Sequence, residues 1–240
     1  MRSTWPGCSS ASTRMTSSPS RTTKAWTSNV TGSGPATPAG ITMSARAGKS
    51  CTRSVSVWSV RDGDDVILVD ALLQPGHVDL IAEALARAGA GFEAIRYIVL
   101  THHHLDHTGG LAEVVSRAPQ VQVLGGAGDA RVITESTGVA VDVVGTGDSV
   151  LGLEVVPTPG HTAGHVCLVD PGSSTVLLGD VVGNIGGLER GPAQFTENAD
   201  QAEATLHALA EKGLEHGVPS HGDPFAGASR SIAELLRTRA

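Results

Sequence analysis

The run Thr101-His102-His103-His104-Leu105-Asp106-His107 sets four imidazoles and a carboxylate into six consecutive residues. Imidazole nitrogen and carboxylate oxygen are the donors that hold divalent ions such as Zn, Fe or Mn. In an extended loop, imidazoles two residues apart point the same way and can share one ion, so His102 and His104 pair while Asp106 and His107, at the next turn, face a second position. With 10 His in 240 residues, the pattern H-x-H-x-D-H arises by chance with a probability on the order of 10⁻³. A surface histidine cluster needs neither the acid at that place nor the buried strand expected at Ile95–Leu100 that leads into it.

More donors stand farther along the chain. His161 lies in Thr158-Pro159-Gly160-His161-Thr162-Ala163-Gly164-His165, Asp180 follows Val176-Leu177-Leu178-Gly179, and His221 follows Val218-Pro219-Ser220. Each comes just after an expected strand, where loops converge on one edge of a sheet. The chain offers no G-x-S-x-G elbow, no C-x-x-C and no G-x-x-x-x-G-K loop, so no other nucleophile or phosphate cradle competes. His165 reads as a local packing residue, and His103 points away from its neighbours. His77, His207 and His216 read as surface residues, and Cys167, inside an apolar strand, as a small core residue.

The elements that must carry these donors alternate. Val55 to Val60 shows period 2, Asp62-Gly63-Asp64 is a turn, and Val66 to Val69 is a buried strand ending at Asp70. Apolar residues at helical spacing run from Val78 to Ala88, with Gly89 as the cap. Helices are expected near 109–117, 127–136, 199–212 and 226–238. Strands are expected at 95–100, 121–124, 140–144, 150–156, 166–169 and 175–179. The segment Gly183 to Glu197, with Leu188 and Phe195 as its apolar points, reads as a lid loop. Strand–helix alternation followed by a run of strands and then helices gives an α/β fold of two sheets with helices outside.

Charge divides the chain. Residues 1–60 hold seven Lys and Arg and no acid, whereas the rest carries all 24 Asp and Glu against ten cations. Residues 1–53 are rich in Ser, Thr, Gly and Pro and show no periodicity, which marks them as a disordered or non-native leader to a domain at 54–240. The acidic body disfavours a nucleic-acid partner. No apolar run is long enough for a membrane helix. Three scattered cysteines form no disulfide framework, and a reducing, cytoplasmic setting is expected.

The four motifs His102-x-His104-x-Asp106-His107, Pro159-Gly160-His161-Thr162-x-Gly164-His165, Leu178-Gly179-Asp180 and Ser220-His221-Gly222, separated by 54, 19 and 41 residues, resemble the metallo-β-lactamase fold superfamily of metallohydrolases, in a single-domain, glyoxalase II-like form. The resemblance covers about residues 55 to 240. It implies an αββα four-layer sandwich with two divalent metal ions, zinc by default, at one edge. His102, His104 and His161 would hold one ion, and Asp106, His107 and His221 the other. Asp180 would bridge both, and Asp70 would orient a ligating histidine from behind or serve only as a strand-end turn. The implied reaction is attack by a metal-bridged hydroxide on a small-molecule thioester, ester or lactone, with Asp106 and Asp180 as the catalytic acids.

The chain departs from the family's pattern in three places. Ala71-Leu72 stands where Thr-Gly is usual, Ser220 replaces a common glycine, and the family's first strands find no readable counterpart before residue 54. Other branches fit less well. The bridging Asp180 is unlike the true β-lactamases, the only tyrosine is Tyr97, and 19 residues after His221 are too few for a glutathione-binding helical domain. The alternatives are a mononuclear iron, sulfur dioxygenase-like enzyme, and a catalytically inactive metal-binding module.

Overall fold

The computed structural model describes residues 40–47 and 55–238. The strands are β1 (Gly40–Ala47), β2 (Val55–Asp62), β3 (Asp65–Val69), β4 (Ile95–Leu100), β5 (Gln122–Gly126), β6 (Asp142–Val144), β7 (Ser149–Val150), β8 (Leu153–Pro157), β9 (Val166–Asp170), β10 (Thr175–Gly179), β11 (Val182–Asn184), β12 (Leu188–Arg190), β13 (His216–Pro219) and β14 (Phe225–Ala226). The helices are α1 (Val78–Arg87), α2 (Leu105–Thr108), α3 (Leu111–Arg117), α4 (Ala130–Thr137), α5 (Ala199–Ala210) and α6 (Ala228–Arg237). One six-stranded sheet runs β1-β2-β3-β4-β5-β6 and the other β14-β13-β10-β9-β8-β7, with β11 and β12 as a separate hairpin.

Period-2 alternation sorts the side chains into three apolar layers. In the first sheet Val55, Val57, Val66, Leu68 and Leu100 meet Ile81, Leu85, Leu111 and Ile133 of the outer helices. Their alternates Trp58, Val60, Ile67, Val69 and Val99 meet Val155, Val166, Leu168 and Leu177 between the sheets. On the far side, Val169, Val176 and Leu178 pack on Leu206, Leu209 and Ile232 from α5 and α6. Helix, sheet, sheet, helix is the αββα sandwich, and strands buried on both faces explain why β3, β9 and β10 read as continuous apolar runs.

Two expectations change. The packed domain does not start at residue 54, because β1 pairs antiparallel with β2 from Gly40↔Arg61 to Ala47↔Val55. Its apolar alternation is Ile41, Met43, Ala45, Ala47, too small and too embedded in Ser, Thr and Gly to stand out from the segment's composition. The strand does the work expected of an early family strand, covering the β2 edge. The expectation of a disordered or non-native leader for the rest of residues 1–53 lies outside the described residues. The second change concerns the lid: 183–197 is not a loop but mostly the β11–β12 hairpin and a single 3₁₀ turn at Ala193–Phe195. Leu188 packs toward α5 and α6, while Phe195 stays 54% exposed.

The strand expected at 150–156 is a tight hairpin, β7 to β8, turning at Leu151 and Gly152 with φ of 44° and 83°. Leu72 occupies the departure noted after Asp70, with φ of 66°. A glycine adopts that left-handed backbone freely, whereas a leucine there costs on the order of 1 kcal/mol. Full burial of the Leu72 side chain in the first core layer opposes that cost.

Candidate metal centre

Seven donor side chains converge where the two sheets meet. The first sheet delivers four of them from the end of β4: His102 and His104 in an extended stretch, then Asp106 and His107 on the single turn α2. That turn is closed by His107 N–H and Thr108 Oγ1 donating to His104 O at 3.0 and 3.1 Å. The second sheet delivers His161 from the β8–β9 turn, Asp180 from the end of β10 and His221 from the end of β13. Main-chain bonds join the two sides: Val166 N to Thr101 O at 2.9 Å and Ser56 N to Ser220 O at 2.8 Å. Trp58 Nε1 also donates to Pro219 O at 3.2 Å.

The donors fall into two groups. His102 Nε2 and His161 Nε2 each lie 3.0 Å from His104 Nδ1. In the other group His221 Nε2 is 3.3 Å from Asp106 Oδ2, and His107 Nε2 is 3.6 Å from the same oxygen. Asp180 stands between them. Its Oδ1 is 3.4 Å from His107 Nε2, and its Oδ2 is 3.2 Å from His221 Nε2 and 3.6 Å from His161 Nε2. His102, His107 and Asp180 also form a donor set of their own, so the two groups share a border.

The donor set fits divalent ions, and the polar atoms say so independently. His107 Nε2 and Asp180 Oδ1 are buried and complete no hydrogen bond, a condition that costs about 1–3 kcal/mol per group unless a cation or proton is supplied. Nitrogens and carboxylate oxygens with open, converging lone pairs are what a Zn, Fe or Mn ion binds.

Electrostatics separate the two groups. Burial pushes His102, His104 and His161 toward the neutral form, His161 down to about 4, with neighbouring imidazoles adding to the shift. Burial acts the same way on His107 and His221. There, however, it is outweighed: Asp180 and Asp70 raise His107 well above the usual range, and Asp106 and Asp180 raise His221 to about 9. The carboxylates respond in kind, Asp180 and Asp106 being held below the ordinary range by those imidazoles in spite of their own burial.

A layer of supports surrounds the donors. Fully buried Asp70, itself at φ 68°, has Oδ2 2.8 Å from His107 Nδ1. It also accepts from Thr101 N at 2.8 Å, from Thr101 Oγ1 at 3.0 Å and from Ser220 Oγ at 3.3 Å. Ser220, the other departure from the family's pattern, thus contributes a bond that a glycine cannot make. His165 packs locally: Thr158 Oγ1 lies 2.7 Å from its Nδ1, and its Nε2 accepts from Asp180 N at 3.2 Å. Burial lowers His165 to about 3, which keeps that nitrogen an acceptor. Gly179 must lack a side chain here, since φ is 53° and a Cβ would run into the His165 ring and Thr101. Buried Cys167, with its thiol pushed up to about 12 by burial, is a core residue.

Three supports escape the sequence. His103 does not merely point away: its ring sits between Asp129, at 3.3 Å, and Glu197, at 3.8 Å. Asp129 accepts from main-chain and side-chain donors of the loops that carry His102 and His161, and Glu197 Oε2 accepts from Ala163 N at 2.8 Å. Only a Gly-rich stretch before a helix, GGAGDA, hints at Asp129 in the chain, and it reads as an ordinary cap. The ring of Phe195 lies 6.2 Å from that of His104, edge to face, and Leu105 of the ligand turn is 67% exposed.

Among known proteins, the family model for the metallo-beta-lactamase superfamily matches residues 52–221. Among curated relatives, a hydroxyacylglutathione hydrolase of Cupriavidus metallidurans is 33% identical over 166 residues, covering 62% of this chain and 58% of that enzyme. One of Anaeromyxobacter dehalogenans is 41% identical over 182 residues, covering 72% of this chain and 63% of its own length. The chain therefore spans less than two thirds of these hydrolases. Among solved structures, a metallo-beta-lactamase from Pontibacter korlensis superposes with a TM-score of 0.67 at 22% identity over 84% of this chain and 96% of that one. A metallo-beta-lactamase family protein from Thermus thermophilus gives 0.66 at 19% identity over 82% and 78%. The four sequence motifs, the sandwich and the family match agree: this chain belongs to the metallo-beta-lactamase superfamily.

Proposed function

We propose that the chain is a dinuclear metal-dependent hydrolase of small-molecule thioesters, esters or lactones. His102, His104 and His161 would hold one divalent ion, zinc by default, and Asp106, His107 and His221 the other. The observation that carries the reading is the placement of Asp180, whose carboxylate reaches both groups of donors: Oδ2 lies 3.6 Å from His161 Nε2 and 3.2 Å from His221 Nε2, and Oδ1 lies 3.4 Å from His107 Nε2. Divalent ions bound by these donors would supply Lewis acidity for a substrate carbonyl and would acidify water at neutral pH. Around them the side chains have separate tasks. Asp70 holds His107 by its far nitrogen, so that Nε2 keeps its lone pair for the site. Asp106, half-buried, presents Oδ2 where it can accept the hydrogen of an attacking water. Phe195 and Leu105 offer apolar surface beside the donors.

The thioester class is supported by the hydroxyacylglutathione hydrolases above and by a thioesterase of Emericella nidulans, 28% identical over 61% of this chain. Among the described residues no helix is long and apolar enough to cross a membrane. Metal analysis of the protein prepared without chelator, followed by a panel of thioesters, esters and lactones, tests the reading. Two ions per chain and hydrolysis of one of these classes are expected. One iron per chain with oxygen uptake would replace it with a dioxygenase.

A further inference from the structure

We propose that Asp129 is a positioning residue for the His102, His104 and His161 trio, clamping the loops that come from the two different sheets. The inference rests on the reading that this trio holds a metal ion. Asp129 stands at the start of α4, where a carboxylate ordinarily caps the helix, yet it makes no side-chain bond to the helix. Both oxygens instead turn to the ligand loops. Oδ2 accepts from His103 N at 3.0 Å, between the two ligands of the first sheet, and from Thr162 Oγ1 at 2.6 Å, next to the ligand of the second. Oδ1 accepts from Gly164 N at 2.8 Å and faces His103 Nδ1 at 3.3 Å.

The backbone is shaped around this clamp. A Cβ on Gly126 or Gly128 would strike the main chain of Ala163 and Gly164, and one on Gly164 would strike Asp129 itself. Three glycines thus let the β5–α4 turn lie directly on the turn that bears His161. Asp129 is 1% exposed and Thr162 fully buried, so water cannot take over these bonds. The carboxylate contacts His103, Thr162 and Gly164, each one to three residues from a member of the trio, and none of Asp106, His107 and His221.

An amide cannot substitute. Each oxygen of Asp129 accepts from a fixed backbone N–H, so Asn in either orientation points its NH₂ at a donor. Loss of a support of this kind typically weakens metal affinity about 10- to 100-fold. The experiment is cobalt(II) titration of the full chain, read by ligand-field absorption, for wild type, Asp129→Asn and Thr162→Val, with circular dichroism and thermal melting as checks on folding. Expected are a loss of about 10- to 100-fold in the affinity of one of two bound ions for D129N, a changed absorption envelope for that ion, and a smaller loss in the same direction for T162V. Folded D129N with wild-type affinity and spectrum overturns the inference alone. Wild-type protein that binds no cobalt overturns the metal reading and the inference with it. If D129N does not fold, T162V decides, and an unchanged affinity there overturns the proposal.

Discussion

The two trios of the site are built from similar donors and prepared in opposite ways. His102, His104 and His161 are buried among other imidazoles, which leaves them neutral at physiological pH. His107 and His221 are buried against carboxylates and hold protons there. The first trio is preformed by geometry, its nitrogens already 3.0 Å from a common member. The second is preformed by charge, with protons standing where a cation would go. One cluster thus holds neutral imidazoles on one side and protonated ones on the other, with Asp180 in reach of both.

The strongest way to break this picture is to remove what is shared. Asp180→Ala removes the carboxylate that reaches both groups, so turnover is expected to fall by more than about 100-fold, with the second ion lost as well. Metal stoichiometry and steady-state kinetics check this together. An unchanged kcat contradicts the bridging role.

Asp70 offers a more selective cut. Asp70→Asn keeps the shape but weakens the hold on His107, and the expected outcome is about 10- to 100-fold weaker binding of one ion, with the other unaffected. That pattern is complementary to the one expected for D129N. Equal weakening of both ions in either variant would show that the trios are not separable.

The pH dependence of the metal-free protein sharpens the contrast further. For the first trio and His165 the folded pKa is depressed, so their contribution to stability is present above the unfolded value near 6.5 and is lost as pH falls toward 4 and 3. For His107 and His221 it is raised, so their contribution is full below 6.5 and is lost as pH rises toward about 9. Thermal melting of chelated protein should therefore show a maximum near neutrality. Metal loading should flatten the alkaline side, because ions replace the protons of the second trio and release them to buffer. Proton release by calorimetry in two buffers is expected for the second ion and not for the first.

How much of this was legible differs by kind of residue. The donors stood out because metal ligation repeats few residue types at short spacing, and the run from His102 to His107 needs no tertiary information. β3, β9 and β10 were legible because burial on both faces leaves nearly continuous apolar runs, and β4 because its last three residues, Ile98 to Leu100, are apolar and buried. β1 was not, since half of its alternating apolar residues are alanine and its register shifts between Met43 and Ala45. β11 and β12, three residues each, are too short to show a period, so their hairpin read as a loop. Asp129 and Glu197 were hidden for another reason: a carboxylate that accepts from main-chain N–H groups some 26 to 35 residues away leaves no mark on the local sequence. Asp70 was half legible, as a strand-end acid whose partner His107 is 37 residues distant.

The smallest expected effect asks whether the division between the trios extends to substrate. Phe195 is the large apolar side chain in ring contact with the first trio, through His104, and it is more than half exposed, so little folding energy depends on it. Truncating it to alanine removes apolar surface at the mouth without touching a donor or a supporting bond. If the first ion is where the substrate's carbonyl is polarised, an apolar group next to that carbonyl packs against this ring. Phe195→Ala should then raise KM several-fold, on the order of 1 kcal/mol for partial loss of one aromatic contact, with kcat and both metal affinities unchanged. A thioester series of increasing acyl length, measured on wild type and F195A, separates the possibilities. A KM penalty that grows with acyl length places the acyl group against Phe195. A penalty independent of length places the leaving group there, and no penalty at all removes Phe195 from the binding surface.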